Sequence, residues 1–326
     1  MRSEESTSPN LAGGSQTRPA HMTKIRFAAD FTQVMIAPRA GTLLLFPALS
    51  SLLPMAASLL ILTDFFQAAN RALDYATNLA VPLKARLVLL HVRRDSILDP
   101  EMFTGQLSNL SQEAMDLALN GVASHLPVPV VAEVGHGRIA FAVADAVTRH
   151  HPQLVVLGRA DHSGTPNELV ETTSLDILRT TPYPMLVVPH SVESTAPPRR
   201  VLLVVDGENF TLGEHAGSAR QFLAALGAEL VVGHVMPDRH SGELPPSVLD
   251  SVLRTGLALE LPPVGTRTLV NEDVAAGILH AAQPKDFDLV VLIARQRSFM
   301  GNLFHRSVTA QVLLESKIPV LVLPAK

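Results

Sequence analysis

The chain of 326 residues has no cysteine, no tryptophan and only two tyrosines. Without cysteine there are no disulfides, no thiolate zinc sites, no cysteine-held iron–sulfur clusters and no cysteine nucleophile. The absence fits a reducing compartment, and a cytoplasmic location is expected. Aromatic residues make up 4% of the chain, so stacking of bases or sugars on side-chain rings is not expected as its main activity. Nor is there an excess of one sign of charge: 26 Lys and Arg stand against 30 Asp and Glu, a net charge of −4. No basic field exists for a nucleic-acid backbone, so no nucleic-acid partner is expected. A metal-ligand spacing, a Gly-x-Ser-x-Gly elbow, a Walker loop and a Gly-x-Gly-x-x-Gly turn are all missing. The sequence is instead 47% hydrophobic and 17% charged, long and apolar enough for two domains of about 100–200 residues, each with a core.

Residues 1–55 do not share the pattern of the rest. Met1–Ala20 is rich in Ser, Thr, Pro and Gly, lacks an apolar period and reads as disordered. Gly41–Leu62 is almost uncharged over about 22 residues, close to the ~20 that a membrane span needs. Pro47 and Pro54 interrupt it, Ser50, Ser51 and Ser58 dilute it, and Ser58–Thr63 is better used as a β-strand. A membrane span is therefore not expected. An export signal is a competing reading, with Arg39 ahead of the run and small residues after Met55. Another takes Met55 as the true start. Because the segment lacks the pattern described next, it is expected to be dispensable for folding.

That pattern is an internal repeat. Leu154-Val-Val-Leu157 recurs as Leu289-Val-Val-Leu292, and Pro184-Met-Leu-Val-Val-Pro189 as Pro319-Val-Leu-Val-Leu-Pro324, both at an offset of 135. Leu60-Ile-Leu-Thr-Asp64 recurs as Leu202-Leu-Val-Val-Asp206, and Leu87-Val-Leu-Leu-His-Val92 as Leu230-Val-Val-Gly-His-Val235, at offsets of 142 and 143. The copies span 57–190 and 199–326, joined by a short proline-stiffened linker, Ser194-Thr-Ala-Pro-Pro198.

Each copy alternates strands and helices. In the first, short Val/Leu/Ile runs predict strands at about 59–63, 86–92, 129–134, 154–158 and 185–188. Helical periods fall between them at Ala68–Leu79, Ser108–Ser124, Ile139–His150 and Thr173–Leu178. Continuous apolar runs belong to parallel strands covered on both faces. The expected fold is α/β, with two doubly wound, open, parallel five-stranded sheets. Ligands of such sheets sit at the carboxyl ends of the strands.

Asp64 and Asp206 end the first strands, where a carboxylate either accepts from a base or ribose or caps the next helix. His91 and His234 close the second strands and read as structural hydrogen-bonding residues before ligands. Gly135-His-Gly-Arg138 reads as a tight turn into a helix, with anion binding at its N–H groups as the alternative. His150-His151 ends a helix ahead of Pro152, where a protonated imidazole suits the dipole.

These marks together resemble the universal stress protein family. In the first copy they are Thr63-Asp-Phe-Phe, Arg71-Ala-Leu-Asp-Tyr-Ala76, Ala85-Arg-Leu-Val-Leu-Leu-His-Val92, Leu154-Val-Val-Leu-Gly158 and Pro182-Tyr-Pro-Met-Leu-Val-Val-Pro189. In the second they are Gly227-Ala-Glu-Leu-Val-Val-Gly-His-Val235, Ser307-Val-Thr-Ala-Gln-Val-Leu313 and Pro319-Val-Leu-Val-Leu323. The resemblance implies a Rossmann-like fold of the adenine nucleotide alpha hydrolase-like type, with the copies paired as a pseudo-dimer through their last strands. It also implies nucleotide contacts from Asp64, Val92, Gly158 and Thr172 in the first copy, and from Asp206, Val235 and Ser307 in the second.

ATP-binding members carry a G-x2-G-x9-G-[ST] loop after the fourth strand, whose glycines let the backbone approach the phosphates. Here Gly158 and Thr172 match, but Asp161 and Glu171 replace the second and third glycines. In the second copy the glycine positions hold Ile293, Gln296 and Arg306, and only Ser307 matches. Two like charges ~4 Å apart repel by about 1 kcal/mol in water and about 4 at an effective dielectric of 20, so Asp161 and Glu171 would oppose a triphosphate. Arg295, Arg297, His305 and Arg306 form a candidate anion patch, or a solvated basic loop.

The resemblance therefore implies a stress-response binding or interaction protein, without catalytic residues or a metal, and with ATP held weakly if at all. Its protein partners are not named by the sequence. The alternative is an ATP-binding stress sensor that uses one of the two pockets. An adenylyltransferase-like enzyme would need a His-x-Gly-His or SGG-type loop, which is missing. A membrane-anchored variant would rest on Gly41–Leu62 alone.

Overall fold

Residues 57–64, 67–93, 112–160, 173–237, 244–259, 261–295 and 307–326 are described by the computed structural model. The expectations for residues 1–56, for the helix start at 108–111, and for Asp161, Glu171, Thr172, Gln296, Arg297, His305 and Arg306 lie outside the described residues.

In the first copy the elements are β1 (Ser58–Thr63), α1 (Gln67–Leu83), β2 (Arg86–Arg93), α2 (Gln112–Ser124), β3 (Val130–His136), α3 (Ile139–His150), β4 (Leu154–Arg159), α4 (Thr173–Thr180) and β5 (Met185–Pro189). The second repeats the order with β6 (Arg200–Val204), α5 (Ala216–Leu226), β7 (Glu229–Met236), α6 (Pro246–Thr255), β8 (Gly265–Val270), α7 (Val274–Ala281), β9 (Leu289–Arg295), α8 (Val308–Glu315) and β10 (Val320–Ala325). Ser58–Thr63 is thus a strand. No helix among the described residues is long and apolar enough to cross a membrane.

The helices form where apolar residues recur at helical spacing. On α1, Ala69, Ala72, Leu73, Ala76, Leu79 and Ala80 are buried along one stripe. Pro82 lies in its last turn, and Lys84 then takes a left-handed φ of 49°. His151 ends α3 in the same way, at φ 43°, with its N–H on the Val147 carbonyl. Ser307 and Asp273 cap α8 and α7, accepting from the N–H groups of Ala310 and Ala276.

The two five-strand sets pair through their last strands, β5 and β10. They join into one ten-stranded sheet of order β3-β2-β1-β4-β5-β10-β9-β6-β7-β8. Every pairing is parallel except the central one, where β5 and β10 run antiparallel. There Val187 faces Val320, Leu186 faces Leu321 and Met185 faces Val322. Leu186 and Leu321 are separated by the repeat offset of 135, so the pseudo-twofold axis passes through this pair of equivalent leucines.

Side chains alternate across the sheet and build two cores that both run through the seam. One gathers Leu59, Ile61, Leu87, Leu89, Leu186, Leu321, Leu203 and Val232 beneath α1 and α5. The other gathers Leu60, Val88, Val155, Val187, Val320, Val290 and Leu202 beneath α3, α4, α7 and α8.

Candidate functional site

In each copy the strand order turns back at the first strand, between β1 and β4 and between β6 and β9. The carboxyl ends of those strands splay apart, which is where an open α/β sheet holds a ligand. In the first copy a cavity of about 250 Å³ opens there. Leu62, Thr63 and Asp64 come from the end of β1, His91 and Val92 from β2, and Leu157, Gly158, Arg159 and Ala160 from β4. Ala69 and Ile139 close its sides, and Thr173 and Ser174 bring the N-terminus of α4 to its edge. The cavity thus brings together Asp64, Val92 and Gly158, three of the residues singled out in the sequence. Asp64 is exposed at the rim.

His91 is held by the fold. Its Nδ1 donates to the Thr63 carbonyl at 2.9 Å, and in the second copy His234 Nδ1 donates to the Val205 carbonyl at 2.8 Å. A carbonyl only accepts, so the proton sits on Nδ1 in both. The strand-end histidine therefore ties the second strand to the first in each copy.

The Arg159 side chain is drawn toward the other copy. Its guanidinium donates to the carbonyls of Leu313 at 2.6 Å and Ser316 at 2.5 Å. These are C-terminal carbonyls of α8, where a cation also suits the helix dipole. One wall of the first-copy cavity is thereby braced against the second copy.

The second copy has a different arrangement at the equivalent place. Arg295, at the offset of 135 from Ala160, extends across the strand ends. It donates to Asp206 through Nε at 3.2 Å and a terminal nitrogen at 3.0 Å, and to the carbonyls of Asn209 at 2.9 Å and Glu208 at 3.1 Å. Its side chain is only 13% exposed. Asp206 also accepts from the Glu208 N–H at 3.0 Å. Burial pushes the Asp206 carboxyl up, but the Arg295 and Glu208 hydrogen bonds outweigh it and hold the group below its ordinary range. Ile293 replaces Gly158 and packs against the core. Ser307 spends its hydroxyl on the α8 cap, and Val235 is half-buried at the end of β7. Asp206 and Arg295, noted in the sequence for separate roles, here form one ion pair.

The Gly135-His-Gly-Arg138 turn has a local explanation. A Cβ on Gly135 would lie 3.0 Å from the Ala142 side chain, so glycine lets α3 pack against the strand. Gly137 has φ 83° and donates to the Arg93 carbonyl. At the far end of α3, His150 Nε2 lies 3.0 Å from Glu133, which also takes Arg149 at 2.6 Å. Among the described residues no group of three or more metal-binding side chains is assembled.

A protein-family model described as the universal stress protein family matches the chain twice, over residues 55–189 and 198–324. Among solved structures, a universal stress protein from Archaeoglobus fulgidus is similar, with a TM-score of 0.60 at 17% identity, over 82% of this chain and 98% of that one. A protein of unknown function from Pseudomonas aeruginosa aligns with a TM-score of 0.54 at 18% identity, over 82% and 92%. The cytoplasmic domain of a prokaryotic cation chloride cotransporter aligns at 0.50 and 11% identity, over 82% and 95%. At these identities the likeness is one of fold. No sequence among curated proteins matches.

Proposed function

The chain belongs to the universal stress protein family, as two tandem copies of its domain, and from that premise we propose that it is a non-catalytic ligand-binding protein with one working pocket. The observation that carries this is the contrast at one repeat position. Ala160 lines the first-copy cavity, whereas at the equivalent place of the second copy Arg295 pairs with Asp206 and offsets its charge. Binding rather than chemistry is supported by the histidines, since His91 holds the same structural bond as His234 in the second copy. ATP is a poor occupant of the open cavity, because Asp161 and Glu171 stand in the loop where a triphosphate needs glycine. The second reading is a nucleotide sensor working through the first copy, favoured by Asp64, Val92 and Gly158 lining one cavity.

Titration calorimetry with Mg–ATP separates the two. Binding is expected to be absent or weaker than micromolar, with at most one site per chain, and Asp161→Gly with Glu171→Gly is expected to strengthen it. Micromolar affinity in the unaltered chain would favour the sensor, and two equal sites would overturn the one-pocket reading.

A further inference from the structure

The two copies set their strand-end aspartates in the same frame. β1 pairs with β4 as Leu59 with Leu154, Leu60 with Val155 and Ile61 with Val156. β6 pairs with β9 as Val201 with Leu289, Leu202 with Val290 and Leu203 with Val291. The offset of 142 between the first strands also relates Asp64 to Asp206, and the offset of 135 between their neighbours relates Ala160 to Arg295. In this register Ala160 stands to Asp64 as Arg295 stands to Asp206.

In the second copy the protein supplies the aspartate with a cation of its own. The Arg295 guanidinium donates to Asp206 through two nitrogens, at 3.2 and 3.0 Å. In the first copy the alanine side chain ends at Cβ, and Asp64 and Ala160 both line the cavity of about 250 Å³. The other lining residue of fixed charge among the described residues, Arg159, donates its guanidinium to the carbonyls of Leu313 and Ser316 in the other copy. Leu62, Ala69, Val92, Ile139 and Leu157 give the cavity apolar walls. The flanking sequence carries the same contrast of sign. Residues 161–172 include Asp161, Glu168 and Glu171 and no Lys or Arg, whereas residues 296–306 include Arg297 and Arg306 and no Asp or Glu. A carboxylate beside apolar walls attracts a cation with an apolar body and repels an anion.

We propose that the first-copy cavity binds a small organic cation of the guanidinium type, its charge on Asp64 as the Arg295 guanidinium sits on Asp206, and its apolar body against the aliphatic walls. This rests on the reading of that cavity as the ligand site and names the class of ligand. The charge preference is modest, because Asp64 is exposed at the rim.

The test uses the full chain, labelled with 15N, and three probes of similar shape: n-butylguanidinium, the neutral n-butylurea and the anionic pentanoate. The amide signals of Gly158 and Gly207 report on the first and second copies. Butylguanidinium is expected to shift Gly158 saturably and to bind at least about fivefold more tightly than butylurea, with pentanoate weaker still. Asp64→Asn is expected to reduce the cation to the affinity of butylurea. Arg295→Ala removes the internal cation from Asp206, and Gly207 is then expected to respond to butylguanidinium, as it should not in the unaltered chain. No saturable shift of Gly158 by butylguanidinium would overturn the proposal. So would equal binding of butylurea or pentanoate, an unchanged preference in Asp64→Asn, or a silent Gly207 in Arg295→Ala. If Gly158 responds to another probe or to Mg–ATP instead, the one-pocket reading survives the loss of the cation. A cavity that takes neither the probes nor the nucleotide ends both.

Discussion

At the scale of single residues, Arg295 holds Asp206 across the strand ends of the second copy. Arg295 is 13% exposed while Asp206 is 54% exposed, so solvent screens the pair on the Asp206 side. Arg295→Ala is expected to cost about 1 kcal/mol in chemical denaturation at neutral pH. Because the Asp206 carboxyl is held below its ordinary 3.8, the pair's contribution is present above that pH and is lost as pH falls through the folded value. The variant and the parent should converge in acid. His215 titrates in a different window. Burial lowers its pKa, against the opposing pull of Glu214 and the Pro182 carbonyl, and its ring meets Tyr183 edge-on at 4.8 Å. A folded value below the ordinary ~6.5 means that the unfolded chain binds the proton first. Stability from this residue is full above about pH 6.5 and declines below it, so the parent's melting temperature should fall relative to that of His215→Phe from about pH 7 to about pH 5. The loss of loop glycines was legible in the sequence, because a glycine pattern is local. The role of Arg295 was not. Its proximity to Asp206 depends on β6 and β9 being neighbours, and the readable signal was its alignment with Ala160 at the repeat offset.

At the scale of elements, the seam between β5 and β10 carries the joint. Leu321 is 1% exposed and faces Leu186 on the pseudo-twofold axis. Leu321→Asp would place an unpaired carboxylate there, at an expected cost of about 3 kcal/mol or more. Size-exclusion chromatography and denaturation should show aggregation or loss of the cooperative transition, and Val187→Asp should do the same. A stable, monomeric variant would mean that the seam is not what holds the copies. The inner strands were legible as Val/Leu runs because both their faces are covered. The outer strands β3 and β8 carry mixed side chains, since each has a neighbour on one side only, and their patterns are weaker. Contacts such as Arg159 on the α8 carbonyls had no local signature, because they join residues more than 150 positions apart.

At the scale of the whole molecule, both cores pass through the seam without a break. The described fold from residue 57 onward should therefore unfold in one transition, with calorimetric and van't Hoff enthalpies in agreement. Two resolved transitions, each abolished by a substitution in one copy, would show that the copies fold independently. The leucine pair on the axis has a further consequence. In a dimer of identical chains every substitution is made twice, so an arginine that holds one aspartate holds both. Here the two halves are encoded separately, and Ala160 and Arg295 can differ across an axis that the backbone still obeys. Covalent fusion thus releases the two strand-end sites from having to be copies of each other: one holds an arginine on its aspartate, where the other holds an alanine beside a cavity.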